Sequence, residues 1–86
     1  MYKIELTRTA RKEYLKLPSK IRLSIHEKLQ ELAKSPFDSH QNIKALQGIQ
    51  GCYRLRVGDY RVIYRLHNKI LLIEIIKIGH RKEVYQ

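Results

Sequence analysis

Four arginines are spaced so that they can meet on one face of a β-hairpin. Alternating runs at residues 52–57 and 60–66 flank Gly58-Asp59, a pair that favours a type II′ turn between antiparallel strands. Because successive side chains of a strand point to opposite faces, the four guanidiniums share a face around Ile63. They belong to Arg54, Arg56, Arg61 and Arg65. Like charges directly opposite one another destabilise a strand pair by roughly 0.2–1 kcal/mol, so this pattern indicates a surface that binds a polyanion.

The other face of the hairpin is aromatic and aliphatic, and it is predicted to lie in the core. Its members are Tyr53, Leu55, Val57, Tyr60, Val62 and Tyr64. The next run, residues 70–78, is apolar on both faces, which is typical of a strand inside a sheet. A turn at Asn68-Lys69 would send Leu71, Ile73 and Ile75 to the core. Ile70, Leu72, Glu74 and Ile76 would then join the arginine face, with Glu74 opposite Ile63.

The N-terminal half predicts a short strand followed by two helices. Residues 2–6 alternate, Thr7 can cap a helix over residues 8–17, and Ser19 can cap a second helix that ends near Lys34. Residues 35–51 are rich in Ser, Gln and Gly and read as a long loop. Residues 1–86 therefore form a single domain of α+β class, with about four strands in a small antiparallel-rich sheet and a two-helix hairpin on one face. The expected strand order places the first strand beside the last.

Composition narrows the choice of partner. The net charge of +10 suits nucleic acid, an anionic membrane surface or an acidic protein, and no strongly apolar amphipathic stretch supports the membrane. A single cysteine, Cys52, provides neither a disulfide framework nor a thiolate metal site. The four histidines show no metal-binding spacing, so no metal and no cofactor are expected. The longest apolar run, Ile70–Ile73, is far too short to span a bilayer, and we expect a cytoplasmic protein.

Two segments together resemble the signature of the RelE/ParE toxin superfamily. They are Gly51–Tyr64, which contains the arginine hairpin, and Ile78–Tyr85, which reads Ile-Gly-His-Arg-Lys-Glu-Val-Tyr. The closing Val-Tyr is similar to the RelE branch, whose members cut messenger RNA in the ribosomal decoding site. The resemblance implies a RelE-like fold, a type II toxin whose partners are the ribosome, mRNA and an antitoxin, and metal-independent endoribonuclease activity. The 2′-hydroxyl would attack the adjacent phosphate.

The resemblance also implies roles for individual residues. Three arginines, namely Arg54, Arg56 and Arg61, would hold the phosphate and stabilise its developing charge. Arg81 would serve the leaving group, and Tyr85 would stack on a base or help to remove the 2′ proton. His80 has the imidazole best suited to proton transfer, although on a strand-like backbone it would point away from Arg81. Further contacts to RNA are expected from Arg65, Lys44 and Lys82.

The sequence does not identify the residue that acts as general base. Some RelE relatives carry lysines where this chain has Arg54 and Arg56, and an arginine cannot act as a neutral base. Residues 41–44 supply no carboxylate. Two other functions therefore remain: a DNA gyrase poison of ParE type, and a non-catalytic RNA-binding domain or inactivated toxin.

The arginine face should also bind a protein. Its apolar members Ile63, Leu72 and Ile76 would form a trough among cationic side chains, and such exposed apolar patches mark binding surfaces. An acidic antitoxin could place Leu or Ile side chains there, or on the helical hairpin, and pair its carboxylates with the arginines.

Overall fold

The computed structural model describes residues 1–36 and 42–84, so the predicted site residue Tyr85 lies outside the described part of the chain. Its strands are β1 (Lys3–Leu6), β2 (Ile43–Ala45), β3 (Cys52–Val57), β4 (Tyr60–His67) and β5 (Leu72–His80). Its helices are α1 (Arg8–Leu15), α2 (Ser19–Lys34) and α3 (Arg81–Val84), and a 3₁₀ turn, Asn68–Ile70, joins β4 to β5. No helix within the described ranges is both long and apolar enough to cross a membrane.

All five strands form one mixed sheet in the order β1-β5-β4-β3-β2. β1 runs parallel to β5 and the other pairs are antiparallel. The α+β class and the position of the first strand beside the last are confirmed. The expected loop over residues 35–51 was wrong in one respect, because it contains the edge strand β2. A three-residue strand is too short to show an alternating pattern.

The hairpin of β3 and β4 has the predicted register. Val57 lies opposite Tyr60, Arg56 opposite Arg61, and the pairing continues to Cys52 opposite Arg65. Gly58 has φ +60°, and Asp59 is not among the residues with positive φ. Positive φ at the first central position alone is the signature of a type II′ turn, which confirms the predicted turn.

The core lies between the helices and the apolar face of the sheet. Its fully buried members come from four elements and include Ala10, Ile25, Leu32, Val62, Tyr64, Ile73, Ile75 and Ile78. Tyr53 and Tyr60 are half-buried against this cluster, as expected for core residues. Tyr14 donates a hydrogen bond from its hydroxyl to the carbonyl of Arg22 at 3.4 Å, which ties α1 to α2.

Helix α1 closes the edge of β5 that β1 leaves open. The pairing with β1 ends at Leu6 opposite Ile75. Beyond that point the Thr7 hydroxyl donates to the Ile76 carbonyl at 3.2 Å, and Glu13 Oε1 accepts the Ile78 N–H at 2.9 Å. Glu13 Oε2 also lies 3.5 Å from Lys77 Nζ. The side chains of Thr7 and Glu13 therefore bond the backbone groups of β5 that a neighbouring strand would otherwise bond. These bonds matter because a buried backbone group without a partner is costly.

The C-terminal strand differs most from the prediction. It begins at Leu72 rather than residue 70, because the connection uses a 3₁₀ turn and then Leu71 at φ 51°. Leu71 is half exposed instead of joining the core. A register shift between Ile63 and Tyr64 puts Lys77 opposite Ile63. Glu74, expected opposite Ile63, lies opposite Arg65 instead.

Both helix boundaries near the break also differ from expectation. α1 ends at Leu15, two residues early, with Lys16 as its C-cap. Ser19 lies inside α2, and Pro18 occupies the N-cap position, where its carbonyl accepts the N–H groups of Ile21 and Arg22 at 3.0 Å. Proline presets the backbone just before a helix, so it displaces serine from the cap.

Thr7→Ala should lower the free energy of unfolding by about 1–2 kcal/mol. Its hydroxyl accepts the Ala10 N–H at 3.1 Å and donates to the Ile76 carbonyl. One substitution therefore removes both the cap of α1 and a hydrogen bond to the edge of β5. Thr7→Ser keeps the hydroxyl, and Thr9→Ala removes an exposed one. Urea unfolding measures all three, and equal midpoints for Thr7→Ala and Thr7→Ser would contradict the double role.

Candidate functional site

The arginine face contains an open concavity of about 370 Å³, which we call the arginine concavity. It is lined by Asn42, Lys44, Arg54, Arg56 and Arg61. β2 positions Lys44 directly opposite Arg54, so the edge strand that the sequence pattern did not reveal completes the cationic wall. Asn42 was not predicted as a site residue. Its carbonyl accepts the Arg56 N–H at 2.8 Å, a backbone contact that no residue-type pattern could indicate.

The hairpin turn holds two of the guanidiniums. The Gly58 carbonyl accepts from Arg56 Nε at 3.4 Å and from Arg61 Nη1 at 3.3 Å. Arg61 Nη1 also donates to the Tyr60 carbonyl at 3.1 Å. The two arginines lie directly opposite one another, where their charges repel, and a shared carbonyl offsets part of that repulsion. The result is a pair of cationic groups gathered at one end of the hairpin.

Arg61 has an unused donor at this site. Its Nε is buried and has no hydrogen-bond partner, the one such side-chain atom found among the described residues. A buried donor without a partner costs about 1–3 kcal/mol, so it needs an explanation. The Arg61 guanidinium therefore lines the arginine concavity with Nη1 bonded to the hairpin turn and Nε without a partner.

The same turn also positions the predicted C-terminal residue Arg81. The N–H of Arg81 donates to the Asp59 carbonyl at 2.8 Å, and β5 ends one residue earlier, at His80. The strand-like backbone expected at His80 is present, and it ends there because helix α3 starts at Arg81. Arg81 and Lys82 are both exposed. The turn therefore joins the two sequence motifs, which are about twenty residues apart in the chain, at one end of the sheet.

His80 lies on the helix side of the sheet rather than with the arginines. It is paired with Tyr60, and the two rings meet edge to face with centroids 5.5 Å apart. It lines a second concavity of about 340 Å³ together with Glu13 and Lys16. None of the residues that line the arginine concavity is a histidine.

Arg65 lies at the other end of the arginine face. It is exposed, and its Nε donates to Cys52 Sγ at 3.4 Å, a hydrogen bond that raises the pKa of the guanidinium further. Cys52 itself is a buried, free cysteine. Glu74, opposite Arg65, hydrogen-bonds His67 Nε2 at 3.0 Å. The geometry thus separates Arg65 from the arginine concavity.

The predicted apolar trough is present only in part. Its members Ile63, Leu72 and Ile76 are all half-buried, but the cationic Lys77 lies opposite Ile63, where Glu74 was expected. In the part of the chain that the structure describes, no cluster of three or more His, Cys, Asp or Glu could hold a metal ion.

Tyr64 is not available for proton transfer. Burial, followed by the influence of Tyr53, raises the pKa of its phenol far above the ordinary value. The two rings are stacked with centroids 5.6 Å apart inside the core. A phenolate at this position would need to form away from water, so Tyr64 has a structural role.

Comparison with known proteins agrees with this geometry. Residues 4–85 match the family described as ParE toxin of type II toxin–antitoxin system. The chain is 32% identical to the mRNA interferase toxin RelE of Escherichia coli K12 over 98% of this chain and 90% of the relative.

Solved structures agree in fold over nearly the full length. The isolated E. coli RelE toxin superposes with a TM-score of 0.82 at 30% identity, covering 99% of this chain and 92% of that one. A chain of the intact E. coli RelBE toxin–antitoxin complex gives 0.81 at 28% identity, with 93% and 96% covered. The five-stranded sheet and its helices thus form a known architecture, and the chain belongs to the RelE/ParE family of type II toxin–antitoxin toxins, on its RelE-like side.

Proposed function

We propose that this toxin is an endoribonuclease that cuts messenger RNA bound in the ribosome. The observation that carries the proposal is the arginine concavity, where the turn that holds Arg56 and Arg61 also binds the backbone of Arg81. The whole-chain similarity to a protein named as an mRNA interferase supports the same activity.

The reaction would be attack of the ribose 2′-hydroxyl on the adjacent phosphate. It yields a 2′,3′-cyclic phosphate and a 5′-hydroxyl, and its transition state carries extra negative charge on the phosphate oxygens. Guanidiniums are planar donors that hold such oxygens through two hydrogen bonds at once. Arg54, Arg56 and Arg61 would contact the reacting phosphate, and Arg81 would stabilise the leaving 5′ oxygen. Lys44, Lys82 and Arg65 would bind the flanking RNA backbone.

Proton transfer is the weak part of this site. Arginine stays protonated at physiological pH, and burial excludes Tyr64, so neither serves as a base. Our candidate for the 2′ proton is Tyr85. Such a site can still act if the ribosome orients the 2′-hydroxyl in line with the leaving group, because orientation alone can supply several kcal/mol. The proposed activity uses no metal and depends on the ribosome.

Gyrase poisoning is the second candidate, because the matching family model bears the ParE name. Induction of the toxin in bacteria separates the two. Truncated messages with intact chromosomal DNA support the nuclease, whereas intact messages with double-strand DNA breaks support the gyrase poison. Normal growth with folded toxin present would favour a non-catalytic RNA-binding domain.

Arg61→Ala and Arg81→Ala should each slow cleavage on programmed ribosomes by about 10²–10³-fold, the usual cost of losing one donor to a developing charge. Lys20→Ala on α2 removes the same charge from an exposed helical position and is the matched control. Single-turnover rates measure the effect, and circular dichroism confirms folding. Full activity in a folded Arg61→Ala, Arg81→Ala double variant would refute the assigned site.

The products identify the chemistry. We expect 5′ ends that accept phosphate from polynucleotide kinase directly, and 3′ ends that need removal of a cyclic phosphate. Cleavage of the same RNA free in solution should be slower by at least about 10³-fold, because binding in the ribosome supplies the orientation. Products with 5′-phosphates would exclude attack by the 2′-hydroxyl, and equal rates on free and bound RNA would exclude ribosome dependence.

The proposed partner is an acidic antitoxin, as expected for a strongly basic toxin whose relative E. coli RelE is known from a RelBE complex. Leu72→Lys adds charge to the apolar trough, and Leu23→Lys does the same on α2, where the leucine is 59% exposed. If the antitoxin covers the arginine face, only Leu72→Lys should weaken binding, by about tenfold or 1.4 kcal/mol. Titration calorimetry on folded variants measures this, and the reverse order would place the antitoxin on the helices.

A further inference from the structure

His80 directly precedes helix α3, and its side chain contacts the backbone of the first turn of that helix. Its Nδ1 lies 3.3 Å from the backbone nitrogen of Lys82, the second residue of α3. A side chain at the N-cap position typically accepts a hydrogen bond from the second or third N–H of the helix, which otherwise has no partner. The imidazole of His80 therefore caps α3 in the way that Ser or Asp usually does.

Two further contacts fix the same corner. The Tyr60 ring packs edge to face with the imidazole, and the Asp59 carbonyl accepts the N–H of Arg81. The two anchored residues, His80 and Arg81, are adjacent in the chain, so the direction in which the Arg81 side chain leaves the backbone depends on both contacts. Tyr60 contacts the capping imidazole and the preceding residue, Asp59, accepts the first N–H of the helix, so two consecutive residues fix this corner.

We propose that His80 is a positioning residue, which caps α3 and thereby orients Arg81 toward the arginine concavity. The inference deepens the proposed function and rests on it, since it concerns the placement of a group that acts in that reaction. It also removes His80 from the candidates for general base. A neutral imidazole whose Nδ1 accepts from Lys82 carries its proton on Nε2, so neither nitrogen has a lone pair free for a 2′-hydroxyl proton.

Two substitutions distinguish capping from base catalysis. His80→Asn keeps an acceptor close to the place of Nδ1, and asparagine is among the best N-cap residues. His80→Gln puts its polar group near the place of Nε2 instead. We expect His80→Asn to cleave within about twofold of the natural chain, and His80→Gln and His80→Ala to be about fivefold to tenfold slower, the effect of a lost cap. A His80→Asn variant as slow as His80→Ala would overturn the proposal.

A double-mutant cycle tests whether the effect passes through Arg81. His80→Ala should slow single-turnover cleavage in the natural background and have no further effect when Arg81 is already alanine, because residues that act as a unit are not additive. Binding to the ribosome should change less than the cleavage rate. Independent, multiplying losses would show that His80 acts by itself and would overturn the positioning role.

A measurement without RNA separates this inference from the proposed nuclease. The Lys82 amide of the free toxin should exchange with deuterium more slowly in the natural chain and in His80→Asn than in His80→Ala. If the natural chain cuts no RNA but this order holds, the nuclease proposal fails and the cap stands. If the Lys82 amide exchanges equally in all three folded proteins, the cap fails whatever the activity.

Discussion

The carbonyl groups of the Gly58-Asp59 turn organise the candidate site. Gly58 accepts from the Arg56 and Arg61 guanidiniums, and Asp59 accepts from the backbone of Arg81. A type II′ turn requires positive φ at its first central residue, which glycine adopts without strain. The turn thus sets the two strands in register and supplies acceptors for groups that would otherwise repel one another.

The arrangement of charge explains why the two faces of this sheet are so different. Apolar side chains of the hairpin pack under α1 and α2, while the opposite face carries the four arginines. Repulsion between Arg56 and Arg61 opposes folding, and the buried, unpaired Nε of Arg61 adds a further cost. A bound anion in the arginine concavity would offset the repulsion between these guanidiniums, so the charge on this face favours a phosphate ligand.

The C-terminal part of β5 contacts both the first helix and the hairpin turn of the candidate site. β1 pairs with β5 only as far as Ile75, and from there Thr7 and Glu13 take over its exposed edge. With these bonds in place of β1, β5 continues past a register shift to His80, and the backbone of the next residue, Arg81, reaches the hairpin turn. Residues near the N-terminus therefore hold the strand that leads to the candidate site residue Arg81, although they do not line the arginine concavity themselves.

The sequence by itself determined the hairpin register, the partition of its side chains between core and arginine face, and the family signature. These features depend on local alternation and on one turn, so neighbouring residues contain the information. Only the tertiary structure decided that β2 brings Lys44 and Asn42 to the site, that Glu74 faces Arg65, and that the chain turns helical at Arg81. Each of these depends on contacts between segments distant in sequence. The β5 register follows from the conformation of the turn before it and from an irregularity in its pairing with β4, and no local period encodes such a shift.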